Sequence, residues 1–115
     1  MRQDCLFCKI VDEKSEGSLL YQDEEVTAFR DINPQAPIHI LIVPNKHIVS
    51  PSDSTAEDQA VLGKLLLTAA KLAQDEGVTD QGYRLVINTG PDGGQSVFHL
   101  HLHLLAGRRM TWPPG

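Results

Sequence analysis

Val97-Phe98-His99-Leu100-His101-Leu102-His103-Leu104-Leu105 reads as a β-strand, and its alternation decides the fold around it. Along an extended chain successive side chains point to opposite faces, and residues two apart lie roughly 6.6–6.8 Å from each other on one face. His99, His101 and His103 therefore line one face, and Leu100, Leu102 and Leu104 line the other. The leucines require a core, whereas the imidazoles face something polar. The whole sequence has 5 histidines, and this strand holds three of them.

Working outward, Tyr83–Asn88 is a partner strand, joined to the first across the tight turn Pro91-Asp92-Gly93-Gly94. Ile38–Val43 is almost unbroken β-branched residues and leucine, as expected of a central, well-buried strand, and Pro44 and Asn45 stop it. Leu19–Gln22 and Val26–Arg30 are two short strands around the acidic turn Asp23-Glu24-Glu25. Asn33-Pro34 and Ala36-Pro37 hold the next connection extended. The clearest helix lies between the strand groups: Ser54 and Glu57 form a capping-box pattern, and Val61, Leu62, Leu65, Ala69, Leu72 and Ala73 recur at helical spacing. Gly77 suits a left-handed stop. Residues 5–13 suit a short helix with Leu6, Phe7 and Ile10 on one side, broken at Gly17. The pattern predicts an α+β fold: an antiparallel sheet of about five strands, one long helix and a short N-terminal helix, in a single domain over residues 1–115.

A chain of 115 residues with 41% hydrophobic and 22% charged residues is ordinary globular material, and at this size it buries roughly 65% of its unfolded surface. The formal charge of −5 is not offset by any basic cluster, which argues against a nucleic acid or an anionic membrane as partner. No apolar run approaches the ~20 residues of a membrane span. The N-terminus lacks the basic-then-apolar layout of a signal peptide, so a cytoplasmic location is expected. Structural disulfides are rare there, which bears on the two cysteines, Cys5 and Cys8.

Three readings of the histidine ladder stand at this point. It is an exposed strand face, or a metal site built from alternate residues, or a site for acid–base and nucleophilic chemistry, since imidazole titrates near neutral pH. Cys5-Leu6-Phe7-Cys8 is likewise open between a redox pair and half of a tetrahedral zinc site.

The sequence resembles the histidine triad (HIT) family, and within it the HINT-like branch of nucleoside phosphoramidases. The family motif alternates three histidines with apolar residues, and residues 99–105 read His-Leu-His-Leu-His-Leu-Leu. The stretch Ala28-Phe29-Arg30-Asp31-Ile32-Asn33-Pro34-Gln35-Ala36-Pro37, followed by His39, resembles the family's central block. Asn88 to His103, with Gly93-Gly94-Gln95-Ser96-Val97, resembles its phosphate-binding end, and Trp112-Pro113-Pro114-Gly115 looks like the HINT tail. Two stretches depart from the pattern: Lys14-Ser15-Glu16-Gly17-Ser18 stands in for an Ile-Pro loop, and Pro44-Asn45-Lys46-His47 for a Pro-Lys-Lys-His turn.

The resemblance implies hydrolysis of purine nucleoside phosphoramidates (AMP or GMP derivatives) through a nucleotidyl intermediate on His101. Imidazole suits this role, being nucleophilic when neutral and forming a phosphoramidate labile to water. His103, Ser96, Asn88 and Gln95 would surround the phosphate, and Ser96 or His103 would protonate the departing amine. Asp31 would accept hydrogen bonds from the ribose hydroxyls. Leu6, Phe7, Ile10, Phe29 and Ile32 would enclose the base. His39 would support the triad.

Family members with this cysteine pair imply a closed, structural zinc site at Cys5, Cys8, His47 and His99, one ion per chain, affecting stability more than chemistry. Trp112 would reach toward the active site of a second subunit in a homodimer joined through the sheet and long helix; the alternative is a tryptophan capping its own core. Other activities remain open: a nucleotide-binding scaffold with incidental turnover, a dinucleoside polyphosphate hydrolase, and a zinc-catalysed hydrolase.

Overall fold

The computed structural model describes residues 4–13 and 18–115. Helix α1 (Leu6–Glu13) is followed by strands β1 (Leu19–Gln22), β2 (Val26–Arg30) and β3 (Ile38–Pro44), helix α2 (Gln59–Asp75), and strands β4 (Arg84–Ile87) and β5 (Leu102–Ala106). The strands form one antiparallel sheet in the order β1-β2-β3-β5-β4. The expected break at Gly17 and the loop Lys14–Gly17 lie outside the described residues.

β3 is central because both of its faces are covered. Ile40 and Ile42 enter a core with Leu65, Ala69, Leu72 and Ala73 of α2, and Leu100, Leu102 and Leu104 join them. Leu41 and Val43, one residue out of phase, pack on Phe7, Cys8 and Val11 of α1. Leu41 pairs with His103 and Ile40 with Leu104, so the histidine face of β5 lies on the α1 side of the sheet. The alternation read from the sequence therefore sets the architecture: leucines under α2, imidazoles under α1.

The turn after β1 is held by Asp23, whose Oδ1 accepts from the backbone N–H of Glu25 (2.7 Å) and Val26 (2.9 Å). Lys64 of α2 reaches across to Asp23 and Glu25, tying helix to hairpin. α2 ends as expected at Gly77 (φ 75°), where the Gly77 N–H donates to Gln74 O and the Val78 N–H to Ala73 O, both at 3.0 Å.

Three local expectations need correction. The capping pair is Thr55 with Asp58, one residue beyond Ser54 and Glu57. Asp58 Oδ2 accepts the Thr55 N–H at 2.9 Å, while Oδ1 holds Lys46 Nζ at 2.7 Å. Two short 3₁₀ turns, Pro51–Asp53 and Ala56–Asp58, precede α2.

The last strand begins at Leu102 rather than Val97, and the partner strand covers Arg84–Ile87 rather than Tyr83–Asn88. Over 95–101 the chain bonds to the segment after β3 instead of to a ladder. The Leu100 N–H donates to Ile48 O (2.6 Å) and Gln95 Nε2 to Val49 O (2.6 Å). The side chains still alternate, with Leu100 buried in the core and His99 and His101 buried on the other side. Within this loop Pro91–Gly94 does turn, closed by Gly94 N–H to Pro91 O at 3.1 Å. A Cβ on Gly93 would collide with the Thr89 backbone, so that glycine serves the turn's own packing.

Candidate functional site

A cavity of about 600 Å³ opens on the α1 side of the sheet. Leu6, Phe7 and Ile10 of α1 form one wall; Phe29, Asp31 and Ile32 at the end of β2 form another. His39 and Leu41 of β3, His101 and His103, and Ser96 with Val97 complete it. The sheet order places these groups together, because β5 sits directly beside β3 and presents its odd-numbered residues to the same face. Ile32 is 95% exposed and Leu6 54%, so they stand at the rim, while Phe7 and Phe29 are buried inside.

The ring tautomers follow from their partners. A carbonyl oxygen only accepts, so His101 Nδ1, 2.8 Å from His99 O, carries the proton and donates it. The lone pair of His101 is then on Nε2. Burial lowers the pKa of His101, the largest effect, against the opposing carbonyl bond and the charge of Asp31. The ring is wedged edge-on against Phe7 (centroids 5.0 Å, 77°) and against His103 (4.9 Å, 61°).

At His39 the polarity runs the other way. The Gln35 N–H donates to His39 Nδ1 at 3.0 Å, so the proton of neutral His39 is on Nε2. It points to His103 Nδ1 at 2.9 Å, with Asp31 Oδ2 at 3.4 Å. His103 in turn holds its proton on Nε2, a buried atom with no hydrogen-bond partner among the described residues. Burial is the main cause that pushes His103 down to about 4, helped by His101 and His39. Near neutral pH the pair is therefore uncharged and ends in an unused N–H donor.

Asp31 stands at the turn out of β2. Its N–H donates to His39 O (3.0 Å), and its Oδ1 accepts the Asn33 N–H (2.8 Å). Gln35 and Asn33 also line the cavity, beyond the residues to which the resemblance gives a role, as does Arg30 beside Asp31. Gln35 contributes through its main chain, for which side-chain patterns carry no signal.

Two expected contacts are placed elsewhere. Gln95 is buried and committed: its Nε2 donates to Val49 O and Val97 O, and its Oε1 accepts the Gly90 N–H at 2.9 Å. It is a clamp for the 88–101 loop. Asn88, half-buried just beyond β4, is not among the cavity-lining residues. Trp112 is 83% exposed, which does not fit a cap on its own core.

Below α1, Cys5 Sγ, Cys8 Sγ, His47 and His99 place four ligand atoms within 4.8 Å of one another. Neither cysteine is in a disulfide. His99 Nδ1 is 3.3 Å from Cys5 Sγ and 3.5 Å from Cys8 Sγ, and His47 Nδ1 is 3.3 Å from Cys8 Sγ. Ligands at usual zinc–sulfur and zinc–nitrogen distances form a tetrahedron with edges of about 3.5 Å. His99 Nε2 donates to Pro44 O at 2.8 Å, which leaves the Nδ1 lone pair directed at the sulfurs, as a metal ligand requires. The donor set and spacing fit a closed S₂N₂ metal site.

A hollow of about 640 Å³ between α2 and β1 lacks comparable chemistry, since its Lys64 and Lys71 are paired with carboxylates.

Fold and site together describe a nucleotide-sized cavity floored by a histidine ladder, the arrangement of a histidine triad protein. The HIT domain family model matches residues 12–110, and the chain belongs to the HIT family. It is 52% identical over 115 residues to an uncharacterised HIT-like protein of Synechococcus elongatus, covering 100% of both chains. It is 49% identical over 108 residues to the purine nucleoside phosphoramidase of Escherichia coli K12, covering 94% of this chain and 91% of that one. A crystal structure of a HIT family hydrolase from Legionella pneumophila superposes with a TM-score of 0.93 at 52% identity, covering 97% of this chain and 100% of that one.

Proposed function

We propose that this chain is a purine nucleoside phosphoramidate hydrolase, acting on AMP- or GMP-type phosphoramidates through a covalent nucleotidyl-His101. The observation that carries this reading is the Nδ1–H bond of His101 to His99 O, which presents the Nε2 lone pair as nucleophile. The relation to the Escherichia coli phosphoramidase supports the reaction class.

In this reading Phe7, Phe29, Leu6, Ile10 and Ile32 enclose the base, and Asp31 takes the ribose hydroxyls. His101 Nε2 attacks the α-phosphorus; a P–N bond forms as the P–N bond to the amine breaks. The imidazole becomes a cationic phosphoryl-imidazolium, and its Nδ1–H still donates to the His99 carbonyl, whose dipole stabilises that charge. His103, uncharged with its proton on Nε2, donates to a phosphoryl oxygen. A neutral imidazole is a poor acid, so the departing nitrogen takes its proton from solvent at Ser96, which stands exposed on the cavity wall. Water then attacks phosphorus, the bond to Nε2 breaks, and nucleoside monophosphate and free His101 result.

Cys5, Cys8, His47 and His99 would hold one zinc ion, whose chemistry is that of a closed structural centre without a position for substrate. We read residues 1–115 as one HIT domain that works as a homodimer. Leu66 (51% exposed), on the row of α2 that continues through Ala70 and Gln74 toward Tyr83, and Ile87 (38%) on the edge strand β4 are apolar residues such a contact would cover. Trp112 would then act toward the partner's site. Cysteines outside any disulfide are consistent with the cytoplasm, and no described helix is long and apolar enough to cross a membrane.

The test is hydrolysis of adenosine 5′-phosphoramidate by the wild type and by His101→Ala, both confirmed folded. Turnover by the first and a loss of at least about 10³-fold in the second support the reading. Equal turnover by both excludes it.

A further inference from the structure

His99 takes part in two sites at once. Its Nδ1 joins Cys5, Cys8 and His47 in the S₂N₂ cluster, and its Nε2 donates to Pro44 O at 2.8 Å. Its main-chain carbonyl, 2.8 Å from His101 Nδ1, is the group that fixes the tautomer of the nucleophile. A second link runs through α1. Phe7 lies between the two cysteines in sequence and sets its ring 5.0 Å from that of His101.

The two tautomers of a free imidazole differ little in energy, and only the one with its lone pair on Nε2 can attack from the cavity. Selection between them therefore depends on holding an acceptor against Nδ1. With no metal bound, the cysteine thiols offer only S–H groups to His99 Nδ1 and His47 Nδ1 at 3.3 Å, contacts weaker and less directional than a metal–ligand bond. The His99 residue, carbonyl included, is then held less firmly at the Nδ1 end of its ring.

We infer that a metal ion held by Cys5, Cys8, His47 and His99 positions His101 for reaction, so that metal loading sets turnover and not stability alone. His99 is thereby a positioning residue, acting through its carbonyl. The inference rests on His101 being the nucleophile, but its main readout needs no substrate.

The experiment uses full-length protein labelled with ¹⁵N-histidine, in zinc-loaded, chelator-stripped and cadmium-substituted forms. Long-range ¹H–¹⁵N spectra report which nitrogen of His101 carries the proton. The zinc form is expected to show a single Nδ1–H tautomer and the stripped form a mixture. With it, kcat on adenosine 5′-phosphoramidate should fall about 10-fold or more while AMP affinity changes by less than about threefold. A stripped protein with native circular dichroism and an unchanged Nδ1–H tautomer overturns the inference. So does a parallel loss of kcat and AMP affinity with the tautomer retained, which would make the metal only a brace for α1.

If stripping unfolds the chain, the cadmium form decides, because its longer metal–ligand bonds displace His99 while keeping the fold. Shifted His101 resonances with reduced kcat and retained AMP affinity support the inference, and unchanged resonances and kcat overturn it. A protein inactive on phosphoramidates would still report its tautomer, which separates failure of this inference from failure of the functional reading.

Discussion

His103 is the residue on which folding and chemistry meet. It receives the His39 Nε2–H at 2.9 Å and offers its own Nε2–H to the cavity. Burial holds it neutral, at about 4 against the ordinary 6.5. Between those two values the unfolded chain binds a proton that the folded chain excludes. The contribution of His103 to stability is thus complete above 6.5 and is lost as the pH falls toward about 4. Denaturant unfolding of the wild type should show stability falling through that window, and His103→Gln should flatten the dependence. The same variant should lower kcat by about 10–100-fold with a smaller change in KM, since it disturbs a donor aimed at the phosphoryl group. An unchanged pH dependence in the variant would remove His103 from the account.

At the scale of elements, the 88–101 loop brings Ser96, Val97 and His101 to the site, and Gln95 makes the most hydrogen bonds of the side chains that hold it. Gln95 satisfies Val49 O, Val97 O and the Gly90 N–H. Gln95→Ala leaves those buried groups without partners, at a cost of about 1–3 kcal/mol. Thermal unfolding should show a drop of about 4–8 °C per kcal/mol lost, and kcat should fall with it as Ser96 and Val97 shift. A native melting temperature would contradict the clamp.

This loop is also where the sequence misleads. The period-two pattern places every core leucine and every histidine on its proper face, because alternation survives outside a ladder. It cannot show that residues 95–101 bond to the segment after β3, a pairing set by the Gln95 amide and by residues more than forty positions away. The cap of α2 is similar. Ser54-Thr55-Ala56-Glu57-Asp58 contains two overlapping capping patterns, and Lys46, bound to Asp58 at 2.7 Å, lies on the side of the second. The four ligands of the S₂N₂ cluster come from three separate stretches of chain, at Cys5 and Cys8, at His47 and at His99, so spacing alone does not join them; the family resemblance does.

For the whole molecule, the proposed zinc ion and the proposed homodimer are the two features tested from outside the chain. Chelation should lower the melting temperature, since the cluster ties α1 to the segment after β3 and to the loop segment carrying His99 and His101; differential scanning fluorimetry with and without chelator checks this. Light scattering is expected to give twice the chain mass, and Leu66→Glu, which puts charge on the α2 row nearest β4, should shift the population toward monomer. A chain that stays monomeric at all concentrations would refute the dimer.

The central claim is that His101 becomes covalently nucleotidylated, and rapid acid-free quenching of a single turnover followed by peptide mass spectrometry tests it most directly. The account predicts a transient adenylate on the peptide carrying His99-Leu100-His101-Leu102-His103, fragmenting to His101 and absent in His101→Ala. Turnover at the same rate with no adenylated peptide at any time point, or with the adenylate on another residue, would contradict it.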